Sequence, residues 1–405
     1  QSEDCLNFSI HLSRTLIDDN AEIRATAKLP VLMFIHGGAY FLGSANRPYY
    51  NPENLVRHAI QRSTPIISVA INYRLGALGF LHSNHAGNLV LENNSIHDQV
   101  LALEWLRMRI GGFGGDVDNI TAIGQSAGAE SISVQTMHTP LFKRAIMFSR
   151  TPVTMPAMTP NEHDANFLEQ AKKLGIHVDG SERDAELVAN DMINVDVSKI
   201  RDLAWVGLPY TNSTYFPFER PSMQLARQGK LAPRNWREWA KPVEAQIIGS
   251  TTYDGGISYN MMSKDTSRSG HAEAFTNIPQ DVLGARNGTA LLDLYGINST
   301  ANDTDALQRI CLFESDIGFF AAALSLAQAD LVSATYFHVF DLGNPFAGPI
   351  RNHGAFATHT FDIATLLGGD HEDKLPAHYA LVLSQWRDRI LDFVVDRTPP
   401  CARYT

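Results

Sequence analysis

The run Ile123-Gly124-Gln125-Ser126-Ala127-Gly128-Ala129 constrains this chain more than any other. Before it, Asn119 to Ile123 reads as a short buried strand. After it, Ala127 to Met137 is compatible with a helix of small residues. A G-x-S-x-G that joins a strand to a helix through a sharp turn is a nucleophile elbow. Its two glycines leave room for a strained turn that lifts Ser126 clear of the sheet. The helix aims the partial positive charge of its N-terminus at that hydroxyl. Without the strand and the helix, the same five residues would be an ordinary Gly/Ser turn.

A serine at its own pKa is a weak nucleophile, so it needs a base, an acid that orients the base, and donors for an oxyanion. Leu29 to Ile35 is a buried-strand run that ends in His36-Gly37-Gly38-Ala39-Tyr40. Residues this poor in side chains let backbone N–H groups turn toward a ligand, together with the N–H of Ala127. In an α/β-hydrolase sheet the acid and the base follow the serine in that order, each on a loop after a later strand. That rule discards every histidine before Ser126. The later strand candidates are Val243 to Gly249, followed by Tyr253-Asp254-Gly255-Gly256, and Ala334 to Phe340, followed by a loop with His353 and His359. His338 lies inside the second strand and reads as a packed or edge histidine. The local pattern leaves both loop histidines open. His359 runs into an apolar short helix that would anchor it, whereas His353 lies between Asn352 and Gly354 and reads as exposed. Asp316 and Asp341 compete with Asp254 on chain order alone. Asp316 reads as a helix start.

With these pieces placed, the chain resembles the type-B carboxylesterase/lipase family, which includes cholinesterases and fungal lipases. The resemblance rests on Ser2-Glu3-Asp4-Cys5-Leu6, on Pro30 to Ser44 and on Asn72-Tyr73-Arg74-Leu75-Gly76-Ala77-Leu78-Gly79-Phe80-Leu81. It continues through Asp98-Gln99 to Trp105, Phe113-Gly114-Gly115-Asp116 and the elbow, and ends on Leu383 to Phe393, similar to the family's closing helix. It implies an α/β-hydrolase fold: a mostly parallel central sheet with helices on both faces and helical cap insertions. Gly249 to Gly255 matches the family's acid loop, with Asp254 at the usual Glu position. His359 to Gly368 matches the motif around its base. The resemblance therefore implies a triad of Ser126, His359 and Asp254, with Gly38, Ala39 and Ala127 forming the oxyanion hole, and no cofactor or metal. It implies that Arg74 and Asp98 form a buried structural ion pair. Gln125, Ala39, Thr360 and Asp362 depart from the family's frequent Glu, Gly, Gly and Glu, and leave substrate preference open. Family members begin well before the segment matched by Ser2 to Leu6. By the same resemblance the chain is N-terminally truncated, and the usual disulfide partner of Cys5 would lie in the preceding part.

The family motifs span the chain, so one domain covers residues 1–405, with helix-rich insertions expected at about 151–242 and 263–330. His163 to Leu174 is one clear helical pattern. The net charge of −10 argues against nucleic acid and anionic membrane surfaces. No apolar run reaches the ~18 residues of a spanning helix. Cys5, Cys311 and Cys401 lie far apart without metal-ligand spacing. N-x-S/T occurs at Asn7, Asn93, Asn119, Asn212, Asn287, Asn298 and Asn302; chance predicts about three. Asn119 opens a buried strand, too close to the core for modification. The excess favours a secreted glycoprotein over a cytoplasmic enzyme with an Asn-rich surface.

The expected activity is hydrolysis of a small, uncharged or weakly charged carboxylic ester through an acyl-enzyme. One alternative is an acyltransferase or lactone-opening enzyme using the same triad. Another is a non-catalytic binding module, against which the intact triad argues.

Overall fold

The computed structural model describes residues 4–14, 26–136, 140–152, 155, 157–178, 182–203, 243–263, 270–298, 302–328, 334–347, 354–369 and 372–396. Its centre is a seven-stranded sheet. In chain order the labelled elements are β1 (Phe8–His11), β2 (Leu29–Ile35), α1 (Glu53–Gln61), β3 (Ile67–Ile71), α2 (Asn94–Arg109), β4 (Gly115–Gln125), α3 (Ala127–Thr136), β5 (Arg144–Phe148), α4 (Pro160–Lys173), α5 (Glu182–Met192), β6 (Ala245–Thr251), α6 (Asp303–Gln328), β7 (Thr335–Phe340), α7 (Phe361–Leu367) and α8 (Tyr379–Val394). The strand order is β1-β3-β2-β4-β5-β6-β7. Only β1 runs antiparallel to its neighbour; the other pairings are parallel.

A parallel sheet covered on both faces needs apolar residues at odd and even strand positions alike. In β2, Val31, Met33 and Ile35 face one core with Leu103, Leu106 and Ile132. Leu32 and Phe34 face the other, with Leu55, Leu366, Ile390 and Leu391. On α8 the buried positions Leu383, Arg387, Ile390, Leu391 and Val394 recur at helical spacing. Arg387 sits in that stripe because it is fully used: it donates to the Leu366 and Thr365 carbonyls at 3.0 and 2.9 Å and grips both Glu372 oxygens at 2.7 Å. It thereby caps the C-terminal end of α7.

The segment between β5 and β6 carries α4 and α5, which share a small satellite core with Leu81 and Ala86. Between β6 and β7 the described residues include the helices Gly256–Met262, His271–Leu283 and Ala285–Tyr295, and then α6. The helical pattern from His163 is part of α4, which opens at Pro160 under a capping box of Thr159 and Glu162. At 26 residues, with an 18-residue stretch of mean hydropathy 1.6, α6 is long and apolar enough to cross a membrane by length and composition. It lies within the helix-rich insertion expected at about 263–330, and Glu314 and Asp316 interrupt its apolar run. It packs against β6 and β7. Its middle, Ser315–Ala321, widens into a π-helix. Asp316 therefore lies inside a helix rather than at a helix start.

Candidate active site

The chemistry-bearing loops gather at the carboxyl ends of the parallel strands. Ser126 follows β4 directly, has φ +56° and opens α3. Its N–H donates to the Phe148 carbonyl at 2.8 Å, which ties the elbow to β5. A non-glycine residue at such a φ carries strain on the order of 1 kcal/mol. The turn closes only because Gly124 and Gly128 face each other. A Cβ on Gly124 would collide with the Gly128 backbone, and one on Gly128 with the Ile35 carbonyl.

The loop after β2 is wound as tightly. Gly38, Ala39 and Tyr40 all have positive φ, at 120°, 53° and 60°. Among the described residues no hydrogen bond engages the backbone N–H of Gly38, Ala39 or Ala127. His36 anchors this loop. Its Nδ1 lies 2.7 Å from the Gly37 carbonyl and its ring stacks on Tyr73, whose hydroxyl donates to the His36 carbonyl at 2.6 Å. Burial pulls the His36 pKa down to about 4, so the ring is neutral.

Asp254 and His359 meet from two different loops. A parallel bridge between Tyr253 and Thr358 zips the β6 loop to the loop that follows β7. His359 Nδ1 lies 2.7 Å from Asp254 Oδ1, with the aspartate fully buried and the imidazole 8% exposed. Asp254 Oδ2 accepts from the Thr251 N–H at 2.8 Å. The competing acids are engaged elsewhere: Asp316 accepts from the Tyr295 hydroxyl at 2.7 Å and Asp341 from Thr252 Oγ1 at 2.9 Å. His353 lies outside the described residues. His338 stacks on Trp386 inside the sheet, and burial lowers its pKa to about 4.

The other nitrogen of His359 has a partner that the sequence did not suggest. The Gln125 side-chain amide lies 3.0 Å from Nε2. Among the described residues no hydrogen bond joins Ser126 Oγ to the imidazole. Catalytic hydrogen bonds of this kind are often loose without substrate and tighten when it binds. Two further residues near His359 carry no motif signal. Phe319, in the π segment of α6, packs edge-on against the His359 ring at 5.4 Å. Arg150, two residues past β5, places its guanidinium 4.5 Å from the centre of the Phe319 ring. A cavity of about 250 Å³ borders His359 on the side of Tyr49, Phe346, Phe361 and Leu375. Among the described residues no three His, Cys, Asp or Glu side chains gather as a metal site.

The model of the carboxylesterase family matches residues 1–379. This chain belongs to that family. A para-nitrobenzyl esterase of Bacillus subtilis is 37% identical over 172 residues, which cover 42% of this chain and 32% of that protein. An inactive carboxylesterase-like protein of Byssochlamys spectabilis is 35% identical over 181 residues, covering 44% and 30%. The solved structure of a thermophilic para-nitrobenzyl esterase superposes with a TM-score of 0.68 at 22% identity, covering 99% of this chain and 77% of that one. It shares the fold. The matched stretches thus span about a third of these two curated relatives.

Within the family frame, Arg74 and Asp98 form the expected pair. Nη2 and Nε donate at 2.6 and 2.8 Å, and the Arg74 N–H adds a third bond at 3.0 Å. Asp98 is buried but Arg74 is about one-third exposed, so the pair is only half sealed from water. Cys5 and Cys311 are both free; Cys401 lies outside the described residues. Of the sequons, Asn93 is fully buried, while Asn287, Asn298 and Asn302 are exposed.

Asp362, at the family's Glu position, is fully buried; its Oδ1 accepts from the Ile363 N–H at 2.7 Å and its Oδ2 has no partner. Burial, then the charge of Asp254, pushes its pKa up to about 8. A raised carboxyl pKa favours the folded state while the group stays protonated. Its contribution is therefore complete below the unfolded value near 4 and is lost as pH rises toward 8, at up to about 1.4 kcal/mol per pH unit. In Asp362→Asn that descent should flatten. Urea midpoints of both proteins between pH 4.5 and 8 check it; parallel curves would show that Asp362 does not titrate in this window.

Proposed function

We propose that this chain is a serine hydrolase of carboxylic esters. The observation that carries the proposal is the 2.7 Å bond from His359 to a fully buried Asp254, on loops adjoining a strained Ser126. Ser126 Oγ attacks the ester carbonyl while His359 Nε2 takes its proton. Asp254 holds the Nδ1–H tautomer and stabilises the imidazolium. The N–H groups of Gly38, Ala39 and Ala127 receive the oxyanion. His359 then protonates the departing alcohol, and water releases the acid through the same base. For the first step, Ser126 must take the place of the Gln125 amide at Nε2. The exposed sequons in the 287–302 stretch support secretion of the protein.

The Gln125 contact also favours a second reading, a binding protein that keeps the triad without turnover. Turnover of p-nitrophenyl esters of graded acyl length separates the two. The hydrolase should release p-nitrophenol in a way that depends on both Ser126 and acyl length. No turnover above the Ser126→Ala background at any length would favour the binding protein.

A further inference from the structure

β5 lies between the strand that carries the nucleophile and the strand that carries the acid. Arg150 follows it at the same edge of the sheet as Ser126, Asp254 and His359. The side chain is half-buried. Among the described residues it makes no hydrogen bond and no ion pair within 4.0 Å, and its Nε is buried without a partner. Taking even one donor of a cation out of water without giving it a partner is unfavourable. Its guanidinium lies over the face of Phe319, whose ring in turn packs against His359. Stacking occupies the face of a guanidinium and leaves its N–H edge available. Only Nε is sealed in; the edge formed by the two terminal nitrogens has the spacing that grips both oxygens of a carboxylate.

Three acids surround Arg150, and none closes on it. Asp254 is engaged by His359 and by the Thr251 N–H. Glu130 attracts the guanidinium, but both its oxygens are buried without a partner, and burial raises its pKa well above the carboxylate range. It stands outside ion-pair distance of the guanidinium. Glu314, half-buried on α6, is also outside ion-pair distance.

We propose that Arg150 is a specificity-determining residue that receives a carboxylate carried by the substrate, so that the preferred esters are half-esters of dicarboxylic acids. This replaces the uncharged or weakly charged ester that the sequence alone suggested with an anionic one, and its chemistry rests on the hydrolase reading. The bonds made and broken are those of ordinary ester hydrolysis.

Two measurements test it. The first is kcat/KM for p-nitrophenyl hydrogen adipate relative to neutral p-nitrophenyl hexanoate. In Arg150→Met the ratio should fall about tenfold or more, and Arg150→Lys should recover part of it. An unchanged ratio, including an equal loss on both esters, overturns the proposal. The second is calorimetric binding of phenyl hydrogen adipate to the Ser126→Ala protein with and without Arg150→Met, which needs no turnover. Loss of binding on removal of Arg150 upholds the carboxylate site even if the hydrolase reading fails. Equal binding by both proteins overturns the site even if esters are hydrolysed.

Discussion

His359→Ala should lower kcat by on the order of 10⁶, the same as Ser126→Ala, and the double variant should be no worse than either. The reason is that nucleophile and base act as one unit. In serine proteases, removing either member costs about as much as removing the whole triad. Steady-state kinetics on a p-nitrophenyl ester check it, with circular dichroism to establish folding. His359 is only 8% exposed and packs on Phe319, so a folding control is needed. Multiplicative losses in the double variant would mean that the two residues act independently, and the proposed mechanism would fail.

Asp254→Asn should lower kcat by about 10⁴-fold, by analogy with serine proteases in which the amide holds the imidazole in the wrong tautomer. The substitution keeps the shape, and the Thr251 N–H can still donate to the remaining oxygen. Asp254→Glu should keep substantial activity, because Glu is the family's usual residue there. Retention of more than about a tenth of wild-type kcat in Asp254→Asn, under 1.4 kcal/mol of barrier, would mean that another carboxylate orients His359.

What the sequence made legible and what it hid divide along a physical line. Leu29–Ile35, Ala245–Thr251 and Thr335–Phe340 were visible as strands because consecutive apolar residues, such as Ile247-Ile248 and Tyr336-Phe337, fill odd and even positions alike. The elbow was visible because its strain demands small residues at fixed offsets, and φ +56° at Ser126 shows that strain. The local pattern could not choose between His353 and His359. That choice came from the family resemblance, and the structure places His359 against Asp254. Hidden from the sequence were contacts between residues far apart in the chain. Gln125 meets His359 across 234 positions. Phe319 reaches the same ring from a helix whose π segment follows no hydrophobic period. Arg150 gave no signal because the groups around it, Phe319, Glu314, Glu130 and Asp254, come from other elements and not from its neighbours in sequence.

The central claim is that Ser126, activated by His359 and Asp254, forms a covalent acyl-enzyme. A p-nitrophenyl alkylphosphonate mimics the tetrahedral intermediate and remains attached to the nucleophile. Intact mass and peptide mapping after exposure should find one adduct per chain, on the peptide that contains Ser126. Ser126→Ala should stay folded and carry no adduct, and Asp254→Asn should be labelled far more slowly. Labelling of the Ser126→Ala protein at normal stoichiometry, or an adduct mapped to another residue, would contradict the account.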